Sequence, residues 1–209
     1  EQYALKDLTR ELFKRLSTQG PLNNYRYLGI VVQAYLTDSL KDVEDWVQFA
    51  KDRKTPFTIR LVKGAYWDYE TIVAQQNGWQ IPVYQHKYES DVNYEACTKV
   101  LLSAYPHLEL ALGSHNLRSI AHAMAYAEQL HLPANSFEVQ MLYGMADVFK
   151  AALVSQGIRI REYAPIGELI PGLSYLVRRL LENSSNDSFL LQTFMSQKQI
   201  SDLLKAPQH

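Results

Sequence analysis

One short stretch places two positive charges at a strand that ends beside a glycine. Residues 57–62 read Phe-Thr-Ile-Arg-Leu-Val, with Pro56 before them and Gly64 after them, which is typical of a short buried strand. Arg60 lies in the middle of this strand, and Lys63 lies at its end. A buried guanidinium is costly unless it is paired or hydrogen-bonded. Arg60 therefore needs a definite partner, and the strand alone leaves two choices open: a structural ion pair or a bound ligand.

Two adjacent arginines, Arg178 and Arg179, lie in a predicted helix near the end of the chain. Tyr175 precedes them by about one turn and Glu182 follows by about one turn, which is the spacing at which helical side chains meet. Each guanidinium offers a bidentate fork that suits a carboxylate, so the pair could clamp a small acid. The alternative is a solvated basic helix face with one salt bridge, and the spacing alone favours that alternative.

A third candidate is His115, which ends a predicted strand, together with Asn116, which begins a helix. Asparagine is a common N-cap, and a helix N-terminus beside an imidazole could hold a phosphate or pyrophosphate. A capped helix next to a histidine that bonds to the backbone explains the same residues slightly better. The other histidines lack metal-ligand spacing with cysteine, aspartate or another histidine, so no metal site is predicted.

The composition excludes some classes of function. The chain has 21 lysines and arginines against 22 aspartates and glutamates, which gives no electrostatic reason to expect a nucleic-acid partner. The single cysteine, Cys97, falls in a helical pattern and is expected in the core of a cytoplasmic protein. No apolar run approaches the roughly 20 residues of a membrane span, and the first residues do not resemble a signal peptide.

Strands and helices alternate along the chain. Apolar runs predict strands at residues 28–35, 57–62, 108–112, 137–142 and 158–163. Helical periodicity predicts helices at residues 3–17, 41–53, 68–76, 91–104, 117–130, 146–156 and 169–183. The first helix carries leucines along one face and charges on the other. This alternation indicates a parallel sheet with right-handed crossovers.

A barrel fits this pattern better than an open doubly wound sheet. No Gly-x-Gly-x-x-Gly motif follows any predicted strand, so the dinucleotide fingerprint of open sheets is absent from the sequence. Polar residues close all five predicted strands, where barrel enzymes gather catalytic groups: Gln33, Lys63, His115, Gln140 and Tyr163. The predicted fold is α/β, a (β/α)8 TIM-type barrel. Residues 1–209 are expected to supply about its last five strands and helices, as a single domain.

Taken together, these motifs resemble the proline dehydrogenase domain, and in particular that of the bifunctional proline utilisation A proteins. The matching stretches run in the family's order from residue 28 to residue 189, and the most specific are residues 60–67 and 175–183. The resemblance implies an FAD-dependent enzyme of proline catabolism. Such an enzyme oxidises L-proline to Δ1-pyrroline-5-carboxylate by hydride transfer to flavin N5 and passes the electrons to a quinone.

The resemblance also implies residue roles. Arg60 would contact the flavin near N5, Gln33 would meet the edge of the isoalloxazine, and Glu182 would orient the arginine pair. The implied catalytic residues are Arg60, Tyr163, Arg178 and Arg179. The implied substrate-binding residues are Leu142, Tyr163, Tyr175, Arg178, Arg179 and Glu182. The further implied cofactor-binding residues are Val62, Lys63, Gly64, Trp67, Lys87, His115, Leu142, Glu182, Ser188 and Phe189.

The family also binds proline through a lysine and an aspartate of earlier strands, which are expected before the first residue of this chain. A second hypothesis is therefore a catalytically incomplete fragment, or a flavin-binding remnant, that needs a complementary N-terminal barrel chain. A third is another flavin barrel of the methylenetetrahydrofolate reductase type, which the arginine pair does not support. Because quinones are membrane-bound, a peripheral position on the inner membrane is a second expectation for location.

Overall fold

Five parallel strands form one sheet in a computed structural model of the protein, which describes residues 2–168, 170, 172, 173, 175, 177 and 205–207. The strands are β1 (Gly29–Gln33), β2 (Phe57–Val62), β3 (Leu108–Gly113), β4 (Phe137–Leu142) and β5 (Arg159–Tyr163). They are hydrogen-bonded in chain order, each parallel to the next. This order confirms the predicted sheet and is the one expected for successive strands of a (β/α)8 barrel.

Six α-helices of the described chain connect and precede these strands. They are α1 (Lys6–Thr18), α2 (Ser39–Arg53), α3 (Trp67–Asn77), α4 (Lys87–Ser103), α5 (Leu117–Gln129) and α6 (Asp147–Ser155). Most predicted bounds are confirmed within a few residues, but α4 begins at Lys87 rather than at the predicted Asp91. The Glu89 carboxylate accepts a hydrogen bond from the His86 N–H at 2.9 Å and so caps the earlier start.

The last predicted helix and the predicted absence of a membrane span both concern residues that the structure describes only in part. The helix predicted over residues 169–183 lies mainly outside the described residues. Within the described ranges, none of the helices combines the length and the hydropathy needed to cross a bilayer.

The two faces of the sheet differ in chemistry. Along β2, Phe57, Ile59 and Leu61 are fully buried, whereas Arg60 on the opposite face is only partly covered. Successive side chains of a strand point to opposite faces, so this alternation assigns the apolar residues to one side of the sheet. The apolar side faces the helices, and the other side is the inner face of the barrel.

Helices cover the apolar side and complete the core. Trp46 of α2, Tyr94 and Cys97 of α4, and Ile120 of α5 pack in one cluster with the apolar strand residues. The burial of Cys97 confirms its predicted core position. Each large side chain buried in this way stabilises the fold by about 1.5–3 kcal/mol. The inner face is therefore not needed for the main core and can carry polar groups.

Helix α1 packs on the domain through its charged face rather than its leucine face. Leu8 and Leu12 are 67% and 54% exposed. On the other side of the helix, Lys6 and Arg10 both form ion pairs with Asp42 of α2, which is 6% exposed. The periodicity predicts the helix correctly, but its packed face is set by these ion pairs and by Phe13, whose ring lies 5.4 Å from that of Trp46 in the core, and spacing cannot show either contact.

Arg53, the last residue of α2, joins three segments at the amino-terminal end of the sheet. Its guanidinium donates to six backbone carbonyls at 2.8–3.2 Å, those of Ser17, Leu22, Asn23, Tyr25, Thr55 and Pro56. These carbonyls belong to the end of α1, the loop before β1 and the loop before β2. One side chain thus fixes the entry of two strands into the sheet.

Replacing Arg53 by methionine should lower the free energy of unfolding by about 2–3 kcal/mol, because hydrogen bonds from a charged donor are lost and their carbonyls are left unpaired. Urea denaturation followed by circular dichroism measures the change. The matched control is Lys51→Met on the exposed side of the same helix, which should stay within about 0.5 kcal/mol of the original protein. Equal midpoints for the two variants would contradict the structural role of Arg53.

Candidate active site

A cavity of about 1020 Å³ lies at the carboxyl ends of β2 to β5. Small-molecule sites usually measure about 300–1,000 Å³, so this cavity can take a large cofactor together with a small substrate. Barrel enzymes place their active sites at this end of the strands. Eight of the predicted site residues line the cavity: Arg60, Val62, Lys63, Gly64, His115, Leu142, Tyr163 and Tyr175.

The parallel register arranges polar side chains in layers on the inner face. One layer contains Arg60 of β2, Glu138 of β4 and Arg159 of β5, with the small Ala111 of β3 between the first two. The next layer toward the cavity mouth contains Gln140 and Arg161 in neighbouring strands. Arg60 and Gln140, which are 80 residues apart in the chain, therefore meet inside the barrel.

Arg60 reaches across β3 to β4. Its Nε donates to the Oε1 atom of Gln140 at 2.7 Å. The side chain passes over Gly113, where a β-carbon would lie 3.1 Å from the Arg60 Cζ atom and 2.8 Å from a methyl carbon of Val62. A β-carbon would therefore force Val62 to shift and would press on the guanidinium, so the glycine makes room for Arg60 to cross the sheet.

Glu138 is a carboxylate that is 3% exposed; it accepts hydrogen bonds from the next layer and pairs with Arg159 of its own layer. Gln140 Nε2 donates to it at 2.7 Å, Arg161 donates through Nε and Nη2 at 2.7 and 2.9 Å, and Arg159 Nε lies 3.0 Å away. Burial alone would raise the pKa of Glu138, but the donors outweigh it and hold the pKa below its ordinary value. Glu138 is therefore ionised at neutral pH.

Lys63 and Lys87 share one carboxylate, that of Asp91 in α4. Lys63 forms a close ion pair with Asp91, and Lys87 Nζ lies 2.7 Å from the other carboxylate oxygen. Burial lowers the pKa of Lys63, while the charges of both lysines overcome the burial of Asp91 and lower the pKa of its carboxyl. Lys63 lines the cavity, whereas Lys87 is half exposed and does not belong to the described lining.

His115 and Asn116 have separate tasks. The Nε2 atom of His115 accepts a hydrogen bond from the backbone N–H of Leu142 at 3.1 Å, so a neutral His115 carries its proton on Nδ1. Asn116 caps α5 by accepting from the N–H of Ser119 at 3.2 Å, which confirms the predicted cap. The imidazole is thus held at the join of β3 and β4, at the edge of the cavity.

Two further predicted cofactor residues, Gln33 and Trp67, lie outside the described lining of the large cavity, and Gly64 within it has a packing role. Gln33 is buried and borders an adjoining cavity of about 420 Å³, which Arg60 also lines. Trp67 is 40% exposed, and its Nε1 donates to the Tyr84 carbonyl at 2.8 Å; it is not in the described lining of the large cavity. Gly64 has φ 140°, and a β-carbon there would overlap the ring of Tyr35, so packing as well as position requires a glycine.

Five predicted site residues lie outside the described residues: Arg178, Arg179, Glu182, Ser188 and Phe189. Their roles stay predictions. Tyr175 is described and belongs to the cavity wall, where its ring centroid lies 5.7 Å from that of Tyr163. The structure thus brings together two of the three side chains predicted to enclose the substrate ring, and Leu142 lies in the same wall.

The sequence marked Gln140 only as a polar strand end and assigned no role to Glu138 or Arg161. A signal for them was present, because positions 138, 140 and 142 of β4 and positions 159, 161 and 163 of β5 alternate with apolar or outward residues. A period of two places each set on one face of its strand. Polar residues on a face that ends in a predicted site residue indicate an inner polar network.

Comparison with known proteins gives the family. The profile of the family described as proline dehydrogenase matches residues 1–192. The bifunctional protein PutA of Escherichia coli (strain K12) is 33% identical over 208 residues, which are 96% of this chain and 16% of that relative. Proline dehydrogenase 2 of Bacillus subtilis (strain 168) is 34% identical over 166 residues, which are 79% of this chain and 48% of that relative.

A solved structure gives the same result. The crystal structure of proline utilization A (PutA) from Bdellovibrio bacteriovorus inactivated by N-propargylglycine superposes with a TM-score of 0.95 at 55% identity, covering 99% of this chain and 22% of that chain. The chain belongs to the proline dehydrogenase family, and it spans a small part of the PutA proteins that it resembles. Its five strands form part of a (β/α)8 barrel, as predicted.

The stability of the protein should decline in acid partly through Glu138. Its folded-state pKa lies below the unfolded value of about 4.3, so its ionised form stabilises the fold above that value, and this contribution is lost as the pH falls through the folded-state pKa. Urea denaturation between about pH 7 and about pH 3 should give a shallower decline for Glu138→Gln, which should also be about 1–3 kcal/mol less stable at neutral pH.

The matched control is Glu11→Gln, because Glu11 belongs to an exposed ion pair with Arg15 on α1. This variant should keep the pH slope of the original protein. If Glu138→Gln also kept that slope, the carboxylate would not be ionised in the network as described.

Proposed function

We propose that the protein carrying this chain oxidises L-proline to Δ1-pyrroline-5-carboxylate in proline catabolism, with FAD as the hydride acceptor and a quinone as the final electron acceptor. Membership of the proline dehydrogenase family supports the substrate. The observation that carries the proposal is the position of Arg60, whose guanidinium lies at the strand ends in the same cavity as His115, Leu142, Tyr163 and Tyr175. A fixed cation in an aromatic cavity suits a ring that gains negative charge.

The described residues fit a flavin. The absent side chain of Gly113 leaves the inner surface of β3 open, and the guanidinium of Arg60 lies across it. The cavity volume allows a large planar group, and its lining combines cations with aromatic and aliphatic side chains. The cofactor would be held by Arg60, Gln33, Val62, Lys63, Gly64, His115 and Leu142, with Trp67, Lys87, Glu182, Ser188 and Phe189 as further proposed contacts.

When bound, FAD supplies a two-electron acceptor, which no amino-acid side chain provides. Arg60 contributes electrostatics: its positive charge stabilises negative charge that collects on an electron-accepting ring, at no cost of reorganisation because the side chain is already fixed. Gln33, in the neighbouring strand, borders a cavity that Arg60 also lines and can hydrogen-bond a polar ring edge. The protein thus supplies position and charge.

The substrate is proposed to lie against the wall formed by Leu142, Tyr163 and Tyr175. These side chains enclose a small saturated ring and exclude water from it. Arg178 and Arg179 would bind the proline carboxylate through their forked donors, and Glu182 would orient the pair. A clamp at the carboxylate and a wall around the ring together fix the reacting carbon–nitrogen bond, which lowers the entropic part of the barrier.

The proposal concerns the whole protein, because this chain covers 16–22% of its PutA relatives. We propose that further barrel strands pair with the outer edges of β1 and β5, the two ends of the described sheet, and bring the lysine and aspartate that the family uses. A parallel sheet seldom leaves such edges uncovered. The competing candidate is a flavin-binding remnant without turnover. It would bind FAD, but its substrate site would not be completed by those strands.

Anaerobic addition of L-proline to the FAD-loaded protein should bleach the flavin absorbance band. Arg60→Met should lower the rate of bleaching by at least about 100-fold, because one preorganised charge is removed from the reacting ring. Arg15→Met is the matched control: Arg15 lies in an exposed pair on α1, and its loss should leave the rate unchanged.

Two outcomes would contradict the proposal. A protein that holds FAD but is not bleached by saturating proline would be a flavin-binding remnant. Reduction by a reduced nicotinamide, with none by proline, would indicate a flavin barrel of another class.

A further inference from the structure

We propose that Gln140 is a positioning residue that holds the guanidinium of Arg60 in place, and that Glu138 fixes the orientation of Gln140. The consequence for catalysis rests on the proposed function, because Arg60 is the side chain proposed to face the flavin. The positioning of Arg60 by Gln140 and Glu138 does not depend on the proposed function. Neither Gln140 nor Glu138 is one of the residues proposed above to contact the cofactor or proline.

Arg60 Nε donates a hydrogen bond to Gln140 Oε1 at 2.7 Å. An arginine has many rotamers, and ordering such a long side chain has a large entropic cost. A hydrogen bond at Nε fixes the side chain up to the plane of the guanidinium, so the positions of both terminal nitrogens follow from it. Gln140 therefore determines where the positive charge lies.

The Gln140 amide is held in one orientation by its two partners, Arg60 and Glu138. The Nε–H of Arg60 can only donate, and the ionised Glu138 can only accept. Gln140 joins the two with its oxygen toward Arg60 and its nitrogen 2.7 Å from Glu138 Oε1. An amide meets both demands in a single orientation, whereas a carboxylate or a hydrocarbon at position 140 meets one or neither.

The Glu138 carboxylate, which orients the Gln140 amide, is itself held in place by arginines of β5. Glu138 is bound by a bidentate contact from Arg161 and by Arg159, both of β5. Hydrogen bonds between charged groups are about twice as strong as neutral ones, so the carboxylate is rigidly placed. The chain of contacts from β2 through β4 to β5 thus ends on a fixed point.

Without Gln140, Glu138 would be an acidic partner within reach of Arg60. The two residues lie in the same layer of the register, two strands apart, which is about 10 Å between backbones and within reach of the two long side chains. The glutamine lies one layer closer to the cavity mouth, level with Gly113. Gln140 therefore keeps Arg60 turned toward the cavity and prevents a direct ion pair deeper in the barrel.

The test is a double-mutant cycle on the FAD-loaded protein, with the flavin midpoint potential as the readout. Gln140→Leu replaces one neutral side chain by another, so its direct effect on the electric field is small. The equilibrium constant for flavin reduction should fall about tenfold because Arg60 turns away. For a two-electron couple this lowers the midpoint potential by about 30 mV. In an Arg60→Met background the same substitution should change nothing further.

Equal shifts in both backgrounds would overturn the proposal, because Gln140 would then act without Arg60. The control variant is Met141→Leu, on the same strand but on the face that packs against the helices. This volume-conserving change should leave the potential as it is. The titration uses a chemical reductant, so it gives a result even if proline does not reduce the flavin.

A second measurement needs no flavin. In the cofactor-free protein, the Nε–H signal of Arg60 in nitrogen-15 spectra should exchange with water at least about tenfold faster in Gln140→Leu than in the original protein, since its hydrogen bond is lost. Met141→Leu should leave the exchange rate unchanged. An exchange rate that Gln140→Leu does not alter would refute the positioning role. Failure of proline to bleach the flavin would instead refute the proposed function and leave this measurement valid.

Discussion

A buried charge on the inner face of a parallel sheet, such as that of Glu138, has to be matched by partners from neighbouring strands, because a bare ion removed from water is costly. The guanidinium of Arg60 is matched in this way by the Gln140 amide, and the amide by Glu138 and the arginines of β5. This network takes side chains from three strands and spans four of the five, because Arg60 reaches across β3. A shift of the register by one residue would turn Arg60 into the apolar core, so the network and the strand pairing require each other.

The rest of the structure leaves this inner face free for chemistry. Apolar residues of the strands and helices form the main core on the outer face of the sheet, and Arg53 ties the loops at the amino-terminal end. The cavity lies at the opposite, carboxyl end. The apolar core and the Arg53 contacts, which stabilise the fold, therefore lie apart from the candidate site, on a different face or at a different end of the barrel. Polar residues can be retained on the inner face for this reason.

Local patterns predicted most of the fold. Strands β2 and β4 have their predicted bounds, because β-formers between turn residues define both ends. The start of α4 was placed too late because histidine is an unusual N-cap, and the packed face of α1 was not predictable because its ion pairs to Asp42 depend on tertiary contact. The sequence indicated Arg60 as a site residue and Gln140 as a polar strand end, but not that they are partners, because they lie 80 residues apart and are brought close only by the register across β3.

A crystal structure of the FAD-loaded protein would show whether the inner network aims Arg60 at a flavin bound at the strand ends. We expect the isoalloxazine ring in the cavity lined by Arg60, His115 and Leu142, with a terminal nitrogen of Arg60 within hydrogen-bond distance of the N5 edge and its Nε still on Gln140. A flavin bound elsewhere, or an Arg60 that pairs directly with Glu138 and does not contact the ring, would contradict this expectation.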